Sequence, residues 1–350
     1  MIDEGAITFD AKGVFFNPRM KLNRDIGAAM VKALGITEYL DGLSASGIRG
    51  LRVAREADVK KVILNDVRPA AYRCILRNIA RNEPINCEAS CCNANVLMHE
   101  RHFEAVDLDP FGSPSPFLSA ASRSALSYLF ITATDTAPLC GAHLKSGIRK
   151  YMALPVKTEY HREMGARILL GLAARELARL DKAMEPLLTH ATEHYVRTYL
   201  RVLEGAKIAD RCLEKIGYIE HCFTCGRFRS LTEPKAELCT ICKGHTVLAG
   251  PLWLGEIQDI RTIDQAVFLV DEENKSARKL LDVCRNEVDS PMYYDHHRLC
   301  RRLGITPKKV DQLVEALRDS GWKASRTHFT GVGIKTDAGV EDVEEILRLP

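Results

Sequence analysis

Between residues 36 and 135, short apolar runs alternate with helix-like stretches, the pattern of a parallel sheet with crossover helices. The runs predict strands over 38–43, 62–67, 87–92, 105–109 and 128–134, each ending in polar, Gly or Pro residues. In open α/β sheets ligands sit beyond the carboxyl ends of the strands, so Asp41, Asp66, Asn93, Asp109 and Asp135 are expected along one edge. That much carboxylate suits hydroxyls, amines or a cation better than phosphate. The pattern then changes. Residues 158–180 read as an amphipathic helix, and 195–202 alternate strictly, with Val196, Thr198, Leu200 and Val202 on one face. The other face, Tyr195, Arg197, Tyr199 and Arg201, either stacks and pairs with nucleic acid or is a solvated sheet face covered by a helix. A cysteine-rich turn segment at 222–242 follows. Helix-like stretches at 293–303 and 308–320 and a strand-like 325–335 close the chain in an order that suits a winged-helix-like module.

A chain of 350 residues predicts about two domains, divided here into 1–220 and 221–350, the second beginning with a cysteine module at 221–245. With 46% hydrophobic and 27% charged residues, disorder, collagen and coiled coil are excluded. No apolar run approaches 18 residues and the first five residues carry two acids, so neither a membrane span nor a signal peptide is read, and a cytoplasmic protein is expected. Charge is nearly balanced at +3, but residues 296–335 carry nine bases against three acids. That stretch reads as a phosphate-contacting surface or as an ordinary basic one.

Twelve cysteines in a long chain without a signal are mostly free thiols unless their spacing says metal. Cys222-x2-Cys225 and Cys239-x2-Cys242, thirteen residues apart, form two knuckles suited to a closed, structural Zn²⁺ site; an iron site or a reversible disulfide pair is the alternative. The other cysteines, including Cys91 and Cys92, read as buried small apolar residues. His99, His102, His143 and His161 show no ligand spacing and read as surface or hydrogen-bonded residues.

Three segments carry chemistry. Asp41-Gly-Leu-Ser-Ala-Ser-Gly47-Ile-Arg49-Gly50 ends a strand, turns on small residues and enters a helix; it lacks the Walker, dinucleotide and nucleophile-elbow patterns. It resembles the first motif of class I S-adenosylmethionine methyltransferases. The apolar strand 62–67 ends in Asp66, nineteen positions after Gly47, where a carboxylate can accept both ribose hydroxyls. A nicotinamide cofactor stays open at this point. Asp107-Leu-Asp109-Pro110-Phe111-Gly-Ser-Pro114, at the end of the fourth strand, looks like the D/N-P-P-Y/F motif of enzymes that methylate exocyclic amines of bases. An exocyclic amine is a poor nucleophile because its lone pair is delocalised. Asp109 and the Pro110 carbonyl can each accept an amine N–H and disperse the growing charge, while Phe111 offers a face for stacking.

With these pieces the chain resembles the tRNA (guanine-26 N2)-dimethyltransferase family. The resemblance rests on F-F-N-P-R-M-K-L-N-R-D at 15–25, the segments at 41–50 and 107–114, T-D-T-A-P-L-C-G at 134–141, Y-H-R-E at 160–163, the cysteine cluster, and H-F-T-G-V-G-I-K-T at 328–336. It implies a class I, Rossmann-like α/β fold with a mixed seven-stranded sheet, and an archaeal source. It also implies transfer of two methyl groups in turn from S-adenosylmethionine to guanine N2 in tRNA, with no obligate protein partner. Arg24, Arg49, Asp66, Asn93 and Ala94 are then cofactor contacts, and Asp109, Pro110 and Phe111 the catalytic group. A DNA amine methyltransferase and an inert zinc and winged-helix nucleic-acid-binding protein are the alternatives.

Overall fold

Seven strands make one sheet in the computed structural model, which describes residues 1–83, 85–235 and 237–349. In chain order they are β1 (Glu38–Asp41), β2 (Lys61–Asn65), β3 (Cys87–Ser90), β4 (Phe103–Leu108), β5 (Ala125–Ala133), β6 (Lys182–Thr192) and β7 (Tyr195–Glu204). Their spatial order is β3-β2-β1-β4-β5-β7-β6, and β7 alone runs antiparallel to its neighbours. The first five and β7 are the expected strands; β6 completes the hairpin.

Helices cover both faces, which is why β2 and β5 are almost continuously apolar. Tyr39, Val62, Leu64, Ala105 and Phe130 pack under α1 (Lys21–Ala33), α2 (Ile48–Glu56) and α3 (Pro69–Arg81). Leu40, Ile63, Val106 and Leu129 pack under α4 (Ala94–Glu100), α5 (Ser115–Ser124) and α6 (His161–Ala178). An N-terminal hairpin, Ile2–Glu4 with Ile7–Phe9, closes over α2 and α3.

Two expectations change here. α6 is not one-faced: thirteen of its eighteen residues are buried, because a second sheet packs on its outer side. That sheet contains β8 (Ile216–Cys222), β9 (Phe228–Leu231) and β10 (Thr246–Trp253) in the order β9-β8-β10. Gly171 of α6 meets β10 so closely that a Cβ there would sit 3.1 Å from the Leu252 Cα. The division at residues 220 and 221 therefore falls inside a strand. Second, Tyr195, Arg197 and Tyr199 form neither a solvated face nor a nucleic-acid face: all three are buried. Arg201 is half-buried and paired with Glu185.

After β10, α7 (Ile260–Leu269) returns to pack on α1 and β6. The rest, α8 (Lys275–Arg285), β11 (Tyr294–Asp295), α9 (His296–Leu303), α10 (Val310–Asp319), β12 (Ala324–Thr327), β13 (Thr330–Thr336) and α11 (Val340–Arg348), contains the part read from the sequence as winged-helix-like and sets its helices around a three-stranded sheet of order β11-β13-β12. No helix among the described residues is long and apolar enough to cross a membrane.

Candidate active site and metal centre

The turn between β1 and α2 closes on Gly47, whose φ of 83° is a left-handed conformation that favours glycine. This turn forms one wall of a cavity of about 120 Å³ at the carboxyl ends of β1 and β4. Arg24, Arg49, Asp109, Pro110 and Phe111 meet at its lining, joined by Phe15. Asp66, Asn93 and Ala94 lie outside it. Asp66 is tied to the turn by accepting from the Ala45 N–H at 3.0 Å. The Asn93 side chain caps α4 by accepting from Asn95 N–H at 2.9 Å, and Ala94 is buried behind it. A larger groove of about 580 Å³, between α1, α2 and residues 269–274, contains none of these residues. Its walls are ion pairs of Arg52 with Glu4, Asp25 and Glu56, which bind the hairpin to the helices.

Beneath the cavity the sheet carries a buried charge network. Asp107, 1% exposed, accepts from both terminal nitrogens of Arg197 at 2.6 Å and from the Tyr39 hydroxyl. Arg49 lies above it: Nη1 is 3.8 Å from Asp107, and Nη2 donates to Asp109 Oδ2. Burial pushes the Asp107 carboxyl up, but Arg197 and Arg49 outweigh it and hold it below the usual carboxylate range. Asp41, beside Asp107 on the neighbouring strand, shows the reverse: burial pushes it up to about 7 despite Arg49, and the Asp107 and Asp109 charges add to the rise. Arg24 borders the cavity with its guanidinium already gripped by Glu4 at 2.6 Å through two nitrogens.

The Asp-Pro-Phe-Gly turn is fixed from behind. Gly112, with φ of 104°, donates to Thr134 Oγ1 at 2.7 Å, and its carbonyl accepts from Thr134 N–H at 3.0 Å. Ser113 Oγ donates to the Tyr151 hydroxyl at 3.0 Å. Phe111 is thereby held outward, 86% exposed, and meets Phe15, 50% exposed, edge to face at 5.3 Å between ring centroids. Two large aromatic rings left in water at a polar cavity form a platform for a planar ligand. Phe15 belongs to the Phe-Phe-Asn-Pro-Arg string, but nothing in that string alone assigns it a task.

The four cysteine sulfurs of Cys222, Cys225, Cys239 and Cys242 lie within 4.8 Å of one another, the shortest separations being 3.4 and 3.5 Å. Zn–S bonds of about 2.3 Å place tetrahedral sulfurs roughly 3.8 Å apart, so the donor set fits zinc, and no pair is near the ~2.05 Å of a disulfide. The remaining cysteines divide: Cys74, Cys212, Cys284 and Cys300 are buried as expected, whereas Cys91 and Cys92 are exposed. They follow β3, an edge strand with nothing beyond it in the sheet.

The family strings at 160–163 and 328–336 meet elsewhere, at the junction of the two halves. Glu163 Oε1, fully buried, accepts from Arg167 Nε at 2.8 Å, Met292 N–H at 3.0 Å and Lys335 Nζ at 2.9 Å. Next to it Glu287 pairs with His328 Nδ1 at 2.7 Å; burial pushes its carboxyl up, but His328 and Lys335 outweigh that and hold it at about 2. Lys335 is thus a structural cation rather than part of a basic surface. In the same stretch Arg326 is bound to Asp311 and Arg302 to Glu344.

The protein-family description "N2,N2-dimethylguanosine tRNA methyltransferase" matches residues 1–348. Among curated archaeal relatives, the tRNA (guanine(26)-N(2))-dimethyltransferase of Methanosarcina mazei is 46% identical, the match covering 96% of this chain and 92% of that one. The Haloarcula marismortui protein of the same name is 43% identical over 95% and 93%. Among solved structures, Trm1 from Pyrococcus horikoshii in complex with S-adenosyl-L-methionine is 38% identical and superposes with a TM-score of 0.90, covering 99% of this chain and 98% of that one. A likeness running through catalytic sheet, cysteine cluster and winged helix alike means that this chain belongs to the N2,N2-dimethylguanosine tRNA methyltransferase family.

Proposed function

We propose that this protein transfers one and then a second methyl group from S-adenosylmethionine to the exocyclic N2 of guanine 26 of tRNA, in the cytoplasm. The observation that carries the reading is the outward-held Asp109-Pro110-Phe111 turn at a cavity bordered by Arg49 and Phe15. The residues fit the cofactor: apart from Leu43 the side chains of the turn at 42–47 are small, and buried Nη1 of Arg49 has no hydrogen-bond partner among the described residues. On this reading Arg24 and Arg49 would take the methionine carboxylate, Asp66 the ribose hydroxyls, and Asn93 with Ala94 the adenine, the last three from beyond the lining of the cavity. When bound, S-adenosylmethionine supplies an electrophilic methyl group on a sulfonium.

The chain's own part is orientation and proton handling. Guanine leaves its stack, at a cost of a few kcal/mol, and packs on Phe111 and Phe15, a contact typically worth ~1–3 kcal/mol. Arg49 takes Asp109 Oδ2, and no other group among the described residues bonds Oδ1, which accepts one amine N–H. The Pro110 carbonyl accepts the other, so the lone pair points along the cavity axis. Asp109 receives the proton shed as the N–C bond forms. Zn²⁺ on the four cysteines is structural. Phosphates of the tRNA meet α9, where Arg301 projects without a carboxylate partner among the described residues and the exposed Arg298 is held only loosely by Glu159 at 3.4 Å; α10 exposes Asp311, Glu315 and Asp319 and is too acidic for that task.

Incubation of an unmodified tRNA transcript with protein and S-adenosylmethionine, followed by nucleoside mass spectrometry, tests this. Dimethylguanosine that vanishes when position 26 is substituted is the expected result. Methylation unaffected by that substitution overturns the site assignment, and none with a cofactor-binding protein overturns the reaction.

A further inference from the structure

We infer that Arg197 is a positioning residue: by neutralising Asp107 it leaves Arg49 to Asp109. This rests on the catalytic reading of Asp109 above. Two carboxylates, Asp107 and Asp109, compete for the single guanidinium of Arg49, which reaches both. Asp107 is the deeper of the two, and a buried charge draws a partner more strongly than one at the cavity edge. Yet Arg49 sits hard against Asp109 and only 3.8 Å from Asp107. The difference is Arg197, itself fully buried, whose two terminal nitrogens occupy both Asp107 oxygens at 2.6 Å.

Arg197 is held in turn by the Thr132 hydroxyl at 3.0 Å and by the Tyr199 ring face 4.5 Å from its carbon. A Cβ added at Gly27 of α1 would lie 3.4 Å from Arg49 Nη1 and 3.6 Å from the Tyr199 hydroxyl, so the helix presses on the same stack. Among the described residues this buried arginine pairs with no acid but Asp107, and it is not part of the cavity lining. Charge partition explains its presence: one guanidinium saturates the structural carboxylate, and the next is released to the catalytic one.

The test compares R197Q with the double variant D107N/R197Q, measuring single-turnover methyl transfer with saturating tRNA and S-adenosylmethionine. In R197Q, Asp107 captures Arg49, Asp109 loses its partner, and the rate falls about 100-fold. In the double variant no buried charge is left to capture it, Arg49 returns to Asp109, and the rate recovers to within about fivefold of wild type. A purely structural role predicts that the double variant is no better than R197Q, and that result overturns the inference. Should R197Q fail to fold, the double variant decides alone, since a direct role for either charge demands a hundredfold loss where partition demands almost none. Rates are taken on whichever nucleoside the wild type methylates, so an error in the tRNA position leaves the comparison intact.

Discussion

Replacing Glu163 by Gln strikes the junction where the two halves share charge. In the native protein one carboxylate oxygen serves three donors, and Glu163, Arg167 and Lys335 are each no more than 1% exposed. The amide keeps the shape and still accepts, but Arg167 loses its carboxylate partner, with no other among the described residues, while Lys335 is left with Glu287 alone, 4.0 Å away. Uncompensated buried charge of this kind costs about 3–5 kcal/mol, a large share of the ~5–15 kcal/mol that holds a typical domain together. Lys335→Met removes less, because Glu163 keeps Arg167 and the Met292 N–H, so about 1–3 kcal/mol is expected. Urea unfolding followed by tryptophan emission reads both sides, since the only two tryptophans are Trp253, buried against α6, and Trp322 in the winged helix. The two transitions coincide in the wild type and E163Q moves both together. A loss under 1 kcal/mol for E163Q, or a larger loss for K335M than for E163Q, refutes the assignment of Glu163 as the hub.

Further outcomes follow from the same geometry. Asp109→Asn lowers the methyl-transfer rate by about 10²–10⁴-fold while calorimetry shows S-adenosylmethionine still bound, as expected for loss of a proton acceptor; a rate within tenfold of wild type removes Asp109 from the chemistry. Asp41, raised from 3.8 to about 7 by burial, contributes stability that is complete below pH 3.8 and drains away as pH rises to 7. Asp41→Asn therefore gains on the wild type by up to about 4 kcal/mol at pH 8 and by much less at pH 5, compared by urea midpoints; equal gains at both pH values contradict the shift. Metal analysis gives one Zn²⁺ per chain, lost in Cys239→Ser, and chelation withdraws the ~10–16 kcal/mol that such ligation supplies, unfolding the β8–β10 sheet; retention of circular dichroism and metal-free folding counts against a structural ion. Gly50→Ala costs about 1–3 kcal/mol by thermal melting, because its Cβ would lie 2.1 Å from Leu64 Cδ2, where α2 rests on β2.

Local chemistry was legible and distant pairing was not. The apolar runs located the strands because parallel strands are buried on both faces, and the spacing of four cysteines located the four-sulfur cluster because two short turns suffice to build it. The place of Asp109 at the cavity could be read from its position at a strand end beside Pro110 and Phe111. Arg197 could not: its partner Asp107 lies ninety positions earlier, and alternation in β7 said only that Arg197 shares a face with two tyrosines. The composition of α6 looked amphipathic because Arg167 and Glu163 are polar, but they neutralise each other and Lys335 inside the protein. Cys91 and Cys92 were misjudged because burial of a small thiol depends on whether its strand lies at the edge of the sheet, which residue type does not encode. The basic count at 296–335 overstated the free charge for the same reason: Lys335, Arg326 and Arg302 are spoken for by carboxylates far away in sequence.

A helix with thirteen of its eighteen residues buried between two sheets cannot act as a hinge. With α6 clamped between β10 and the catalytic sheet, the distance from Asp109 to the winged helix is set at folding, and the pair behaves as a caliper. On the proposed reading, an RNA held at α9 would present to the cavity whichever nucleotide lies that far along its surface, so choice of position would be made by length rather than by reading bases.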